Sequence, residues 1–155
     1  MEPKGDPIAR GRAADVYADG PHRVLRRYRG SGASTGREAA LMTYLHTAGY
    51  PVPEVFDADG PDIVMARISG PTMLDTLGRR PWTARLQARI LAGLHQGLHV
   101  VAAPVDLPRP WGPTGGIVHL DLHPDNVILA PGGPVVIDWS NAVGGPAGID
   151  LAGPG

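Results

Sequence analysis

Cysteine is absent from this 155-residue chain. That excludes disulfides, thiolate nucleophiles and cysteine-held metals, and it suits a reducing compartment. Aromatic residues make up only 5%, so a core must be built from Leu, Val, Ile and Ala. An excess of one charge is lacking too: 14 basic and 15 acidic residues leave a formal net charge of −1. No global field then draws the chain to nucleic acid or to a membrane surface. No apolar run approaches the roughly 18 residues needed to span a bilayer. The opening MEPKGDPIARGR has no apolar segment of the kind that marks an export signal, so the cytoplasm is the expected location.

What is present suffices for one core. Hydrophobic residues reach 43% and charged residues 19%, which is one ordinary domain or two small lobes sharing a cleft. The 22 glycines and 17 prolines follow no period. They cluster between apolar runs, most densely at 103–116 and 144–155, and read as long loops.

Residues 7–28 read as short strands: Ala14–Ala18, a turn at Asp19-Gly20, then Arg23–Tyr28. GSGASTG at 30–36 precedes a helix running to about His46, capped by Ser34 or Thr35, with Glu38 near its start and Ala39, Leu41, Met42 and Leu45 inward. Gly49 ends it, and Pro51 and Pro53 prevent a restart. Two strands, Val55–Ala58 and Ile63–Ile68, flank Asp59-Gly60-Pro61, and Ser69-Gly70-Pro71 reads as a hinge. A short helix is expected over 72–78 and a longer one from about Thr83 to Val101, burying Leu86, Ile90, Leu91, Leu94 and Leu98. Val127–Leu129 and Val135–Ile137 form a hairpin whose second strand delivers Asp138.

The chemistry concentrates in 117–129, IVHLDLHPDNVIL. Apolar strands flank a loop of pattern H-x-D-x-x-x-x-N, made by His119, Asp121 and Asn126, and Asp138 follows in VVIDW. Two carboxylates and an amide at the ends of adjacent strands suit transfer of a terminal phosphoryl group. That reaction needs Mg²⁺ held by hard oxygen ligands and a group that orients the attacking hydroxyl. In the division of labour found in protein kinases, Asp121 accepts or orients the substrate proton, while Asn126 and Asp138 hold the metal. As plain turn formers, Asp121 and Asn126 would have no such role, and Asp138 would simply close a strand.

HLDLHPDN resembles the H-G-D-L-H-P-x-N signature of the aminoglycoside phosphotransferase and choline kinase superfamily, and VIDW resembles its metal-binding segment. The similarity covers nearly the whole chain: GRAADVY is similar to the nucleotide loop, RVLRRYR to the strand bearing the nucleotide-binding cation, REAALMTYL to the helix with its glutamate partner, and LAGLHQGLH to the helix before the catalytic loop. The resemblance implies an α+β, two-lobed protein-kinase-like fold. Residues 1–68 would form an N-terminal nucleotide-binding lobe, an antiparallel sheet with one helix. A hinge would follow at 69–73, then a mostly helical C-terminal catalytic lobe at 74–155 that lacks the family's last helices. It further implies ATP (or GTP) and Mg²⁺ as cofactors, and a hydroxylated small molecule as the acceptor.

Single residues follow from the same comparison. Strand alternation puts Val24 and Arg26 on one face, and the family's small-x-basic pattern selects Arg26 over Arg27 for the phosphates, an arginine where a lysine is usual. A surface strand arginine is the alternative. Its partner would be Glu38, which otherwise is a helix-start charge favoured by the dipole. Gly11 is either the nucleotide-loop glycine or an ordinary turn glycine. His119 and His123 would brace the loop rather than bind metal. His95 and His99, four apart on a helix, match a zinc spacing, but no third ligand is evident and they read as helix-surface or core histidines. Asp150, in a D-x-A-like segment, would brace the catalytic loop; no helix is expected after it, because AGPG cannot continue one.

Family members continue with several helices beyond this segment. Without them the apolar face of 86–101 would be exposed, which predicts poor solubility, marginal stability or a homodimer through that face. Two functions then compete: an active small-molecule kinase, and a nucleotide-binding remnant without turnover. An interaction protein with an accidental motif is a distant third. The acceptor itself is unreadable; Asp106, Trp111 and the 141–149 loop are candidates for lining its site.

Overall fold

The computed structural model describes residues 1–30 and 35–152. Ser34, one of the two expected helix caps, lies outside them. Nine strands and four α-helices follow in chain order among the described residues.

The first half is an antiparallel sheet of β1 (Ala9–Arg10), β2 (Ala14–Ala18), β3 (Arg23–Tyr28), β4 (Val55–Asp59) and β5 (Asp62–Ala66), in the order β1-β2-β3-β5-β4. The expected turn at Asp19-Gly20 is a longer connection, closed by Asp19 N–H donating to Arg23 O at 3.1 Å. Helix α1 (Gly36–Thr47) packs Ala39, Leu41, Met42 and Leu45 inward, as its spacing predicts. Thr35 occupies its N-cap position but makes no side-chain cap bond. Its hydroxyl lies 3.1 Å from Gly60 O and 3.0 Å from Asp62 O instead, which ties the start of the helix to the β4–β5 turn.

In the second half, Thr72 caps α2 (Met73–Arg79) by accepting from Asp75 N–H at 3.0 Å. A 3₁₀ turn at Pro81–Thr83 leads into α3 (Ala84–His99). Leu94 and Leu98 are buried as expected, and Ile90 and Leu91 pack partly against the core, but Leu86 is 59% exposed. The buried stripe begins instead at Gln87, and one residue on a helix turns the side chain through about 100°. Two small antiparallel sheets follow: β6 (Gly116–Val118) with β9 (Val143–Gly145), and the hairpin of β7 (Val127–Ala130) with β8 (Gly133–Val136). The hairpin was expected from the sequence, although its second strand ends at Val136, before Asp138. A last helix, α4 (Ala147–Ala152), carries Asp150 in a stretch where none was expected. No helix among the described residues is long and apolar enough to cross a membrane.

One hydrophobic cluster runs through both halves and includes Met42, Leu45, Ile63, Met73, Leu98, Ile117, Val127, Val136 and Trp139. Trp139 meets Tyr50 edge-on at 5.7 Å and His119 at 4.6 Å, and its indole N–H donates to Val136 O at 3.0 Å. Truncating such a residue costs about 3–5 kcal/mol. The halves are laced together at Gly70, whose φ is +145° and whose missing Cβ would collide with Leu129 O. That approach lets Leu129 N–H donate to Pro71 O at 2.8 Å and lets Thr72 pair with Ile128.

Candidate active site

Arg26 and Arg27 are adjacent on β3 and therefore face opposite ways. Arg26 opposes Val16 on β2 and Ile63 on β5. Its guanidinium donates to Glu38 Oε1 and to Asp138 Oδ1, at 3.1 Å each. Tyr28, two residues on and so on the same face, donates its hydroxyl to Glu38 Oε2 at 2.6 Å and lies under the Arg26 guanidinium, 4.7 Å from it. Burial works against the charge on Arg26, but Glu38, Tyr28 and Asp138 outweigh it and hold the pKa above its ordinary value. Burial raises that of Glu38, and Arg26 and the Tyr28 hydroxyl only partly offset this.

The loop after β6 is held by its histidines. His119 is fully buried. Its Nε2 lies 3.0 Å from Ile137 O and its Nδ1 accepts from Asp121 N–H at 3.2 Å, so Nε2 carries the proton. Burial depresses its pKa despite the Ile137 carbonyl and the carboxylates of Asp150, Asp138 and Asp121 nearby. His123 repeats the pattern: Nδ1 accepts from Asp125 N–H at 3.2 Å, and Nε2 reaches Asp121 Oδ1 at 3.1 Å. Asn126 donates its amide to Asp121 O at 2.9 Å and to Asp121 Oδ2 at 3.1 Å. Its Oδ1 accepts no hydrogen bond among the described residues and remains free as a hard oxygen ligand.

Asp138 has φ +61°, and its carboxylate collects Arg26 and the Ser140 hydroxyl, the latter at 2.9 Å. Burial favours its protonation, but Arg26 and Ser140 outweigh burial and hold it below the usual carboxylate range. Asp138 is therefore anionic at neutral pH. Ile137 N–H donates to Asn126 O at 3.0 Å, which fixes the two candidate metal ligands to each other. Asn126, Asp138 and Arg26 line one cleft of about 630 Å³, whose apolar wall includes Val16, Val24, Met65, Ile128 and Ile137. Gly11 also lines it, in the turn between β1 and β2, but its N–H is used on Ala14 O at 2.8 Å. Glu38 and Asp121 do not line this cleft; they reach it through Arg26 and Asn126. The charged end of the cleft thus offers oxygen donors for a hard dication beside a cation suited to phosphate.

A family model described as "Phosphotransferase enzyme family" matches residues 4–115 and 78–153. The chain belongs to this phosphotransferase family. No curated protein is a significant sequence match. Among solved structures, the family member resembles the streptomycin–ATP–APH(2″)-IIa ternary complex, with a TM-score of 0.74 at 15% identity over 94% of this chain and 68% of that one. A choline/ethanolamine kinase family protein from Mesorhizobium loti matches with a TM-score of 0.66 at 17% identity, over 94% of this chain and 61% of that one. The Rio2 kinase–ADP/Mg²⁺–phosphoaspartate complex from Chaetomium thermophilum matches with a TM-score of 0.59 at 21% identity, over 92% and 49% respectively. These likenesses establish the kinase-like α+β fold. The phosphotransferase chain spans between about half and two thirds of the lengths of these neighbours.

Asp150 of this phosphotransferase enters from α4 with its side chain wholly buried. It accepts from Leu120 N–H at 2.8 Å and from His119 N–H at 3.2 Å, so it holds the loop after β6 by its backbone. Leu120 sits at φ +67°, a conformation that costs a non-glycine residue about 1–2 kcal/mol. The Asp150 carboxylate fixes its N–H there. Three residues of the candidate site escaped sequence reasoning: Tyr28, Ser140 and Leu120. Tyr28 was within reach, since alternation along β3 puts it beside Arg26. Ser140 and the backbone of Leu120 carry no sequence signal of their own. Asp106 and Trp111 lie apart from the cleft: Asp106 borders a separate depression with Arg37 and Tyr44, and Trp111 packs on Gly145.

Proposed function

We propose that the chain transfers the γ-phosphoryl group of ATP to a hydroxyl of a small molecule. The reading rests above all on Asn126, Asp138 and Arg26 lining one cleft, with Asp121 hydrogen-bonded to Asn126. Asp121 orients the acceptor hydroxyl and takes its proton as the phosphoryl group moves. Each of its carboxylate oxygens has one partner, His123 or Asn126, which leaves lone pairs for the acceptor. Asn126 Oδ1 and the Asp138 carboxylate hold Mg²⁺, which when bound neutralises charge spreading over the transferring group. Arg26 grips the phosphates and keeps Glu38 as its partner. Its present hold on Asp138 Oδ1 is one that phosphate oxygens replace, freeing that carboxylate for the metal. His119, His123 and Asp150 keep the loop in shape.

In this reading residues 1–68 supply the nucleotide lobe, 69–73 the hinge and 74–155 the catalytic lobe. The turn at Gly11 shapes the cleft roof through its backbone. A cytoplasmic setting, where ATP is abundant, suits the activity. The neighbours bound to streptomycin or named for choline and ethanolamine make amino-bearing alcohols and sugars the first acceptor class to assay.

The test is ADP release by the purified chain with Mg²⁺ and either ATP or GTP, against a panel of aminoglycosides, amino alcohols and sugars. Acceptor-dependent release is expected, with ATP and GTP compared in the same wells. A rise in melting temperature with ATP·Mg²⁺ but no release for any acceptor would make the chain a nucleotide-binding module. No shift with either nucleotide would overturn the reading altogether.

A further inference from the structure

Away from the cleft, α3 and α4 bring three potential metal-ligand side chains to one point. His95 Nδ1, His99 Nε2 and a carboxylate oxygen of Asp150 all lie within 4.8 Å of one another. His99 Nε2 is 2.8 Å from Asp150 Oδ2, and His95 Nδ1 is 3.5 Å from the same oxygen. The imidazole rings are tilted by 46° with centroids 5.7 Å apart, converging on the carboxylate. A hydrogen-bonded clamp accounts for His99. It does not account for His95, which is 93% buried by its 7% exposure and whose Nδ1 has no hydrogen-bond partner among the described residues. A buried ring nitrogen that stops 3.5 Å short of a buried carboxylate oxygen already bonded to a second imidazole leaves a place that a shared cation would satisfy.

We propose that His95, His99 and Asp150 bind a borderline transition-metal dication, with Zn²⁺ as the probe. Histidines four apart on one helix present two nitrogens to a single ion. Asp150 supplies the third ligand from a second helix, and His99, partly exposed, leaves room for a water as the fourth. Zinc takes such ligands at about 2.0–2.2 Å, which sets them about 3.3 Å apart in a tetrahedron. The 3.5 Å separation already fits, and the 2.8 Å pair opens by a few tenths of an ångström as the metal replaces the shared proton. The outer contacts are in place: Asp150 also accepts the N–H groups of Leu120 and His119, the kind of second partner that orients a ligating carboxylate. The ion would pin α3 and α4 to the loop bearing Asp121. This site uses none of the cleft residues and stands or falls independently of the phosphotransfer reading.

The experiment uses the whole chain, stripped with EDTA and titrated with Zn²⁺ in the presence of excess Mg²⁺. One Zn²⁺ per chain is expected by calorimetry, with a rise in melting temperature of about 5–10 °C at a hundredfold excess over Kd. Co²⁺ in its place should give the visible absorption of a four-coordinate nitrogen–oxygen site. His99→Gln should weaken binding at least tenfold, and the His95→Gln/His99→Gln pair should abolish it. If the double variant does not fold, His99→Gln and the Co²⁺ spectrum of the unaltered chain decide. Absence of saturable binding, or a Zn²⁺ response that survives His99→Gln unchanged, overturns the proposal.

Discussion

Arg26 and Arg27 differ by one position on one strand, and each is paired with a carboxylate, yet they do different work. Arg27 makes two 2.7 Å contacts to Asp62 on the adjoining strand, a fork-to-fork pair that stitches the sheet to itself. Arg26 divides its fork between Glu38 on α1 and Asp138 beyond the hairpin, and so bridges elements distant in sequence. The Arg27–Asp62 pair is joined by Met1, whose ammonium lies 3.7 Å from Asp62 Oδ2 and whose carbonyl accepts from Arg27. The Arg26 cluster carries two anions on one cation, one of them raised in pKa by burial and the other lowered. Such an arrangement accepts an additional cation or a replacement anion more readily than a closed pair does. The outer face of β3 therefore ties the sheet together, and the inner face is the one proposed to bind.

The largest expected effect lies at the loop whose Asn126 lines the same cleft as Arg26. Asp121→Ala should lower acceptor-dependent ADP release by about a thousandfold or more, while ATP·Mg²⁺ still raises the melting temperature. A variant with full turnover would remove the chemistry from this loop. Next, Arg26→Ala should weaken ATP·Mg²⁺ binding at least about tenfold, near 1.4 kcal/mol, measured by calorimetry, whereas Arg27→Ala leaves nucleotide affinity unchanged. Equal losses in both variants would erase the distinction between the faces. Arg27→Ala should instead cost about 1 kcal/mol of stability in urea denaturation, because Asp62 keeps a buried charge without its main partner.

The smallest effect is on pH dependence. Asp62 is held below its ordinary pKa, chiefly by its hydrogen bonds from Arg27. A carboxylate depressed in the folded state stabilises above its unfolded value, near pH 4, and loses that contribution as pH falls through the folded value. Glu38 is displaced upward, so its linkage runs the other way: its contribution is present in acid and lost as pH rises through the folded value. Asp62→Asn should therefore flatten the acid limb of a melting-temperature profile below about pH 4. An unchanged limb would show that other carboxylates set it.

Much of this was legible in the chain itself. Period-two alternation put Val24 and Arg26 on one face, and both line the cleft; the choice of Arg26 over Arg27 came from the family's small-x-basic pattern. The turn-rich HLDLHPDN between apolar runs located the loop, and the paired apolar runs at 127–129 and 135–137 located the hairpin. Properties that depend on tertiary context were not legible. Leu86 satisfies the helical period yet points outward, because which stripe is buried depends on what packs there. Val143–Gly145 becomes a strand only because β6 offers it a partner, and α4 forms in a stretch whose composition argues against a helix. The third member of the His95–His99 group was invisible for the same reason: Asp150 lies far along the chain and is delivered by that unexpected helix. The left-handed backbone at Leu120 has no signature in a leucine; its N–H is held by the Asp150 carboxylate.

Ile137 separates two duties within one residue. Its N–H and C=O fasten Asn126 and His119, while its side chain forms part of the cleft wall. The fastening belongs to the peptide unit and is indifferent to what the Cβ carries. Exchange of Ile137 for a larger or smaller apolar residue can thus reshape the ligand's surroundings without unhooking the loop. Recognition at this position is free to diversify while the reactive apparatus stays fixed.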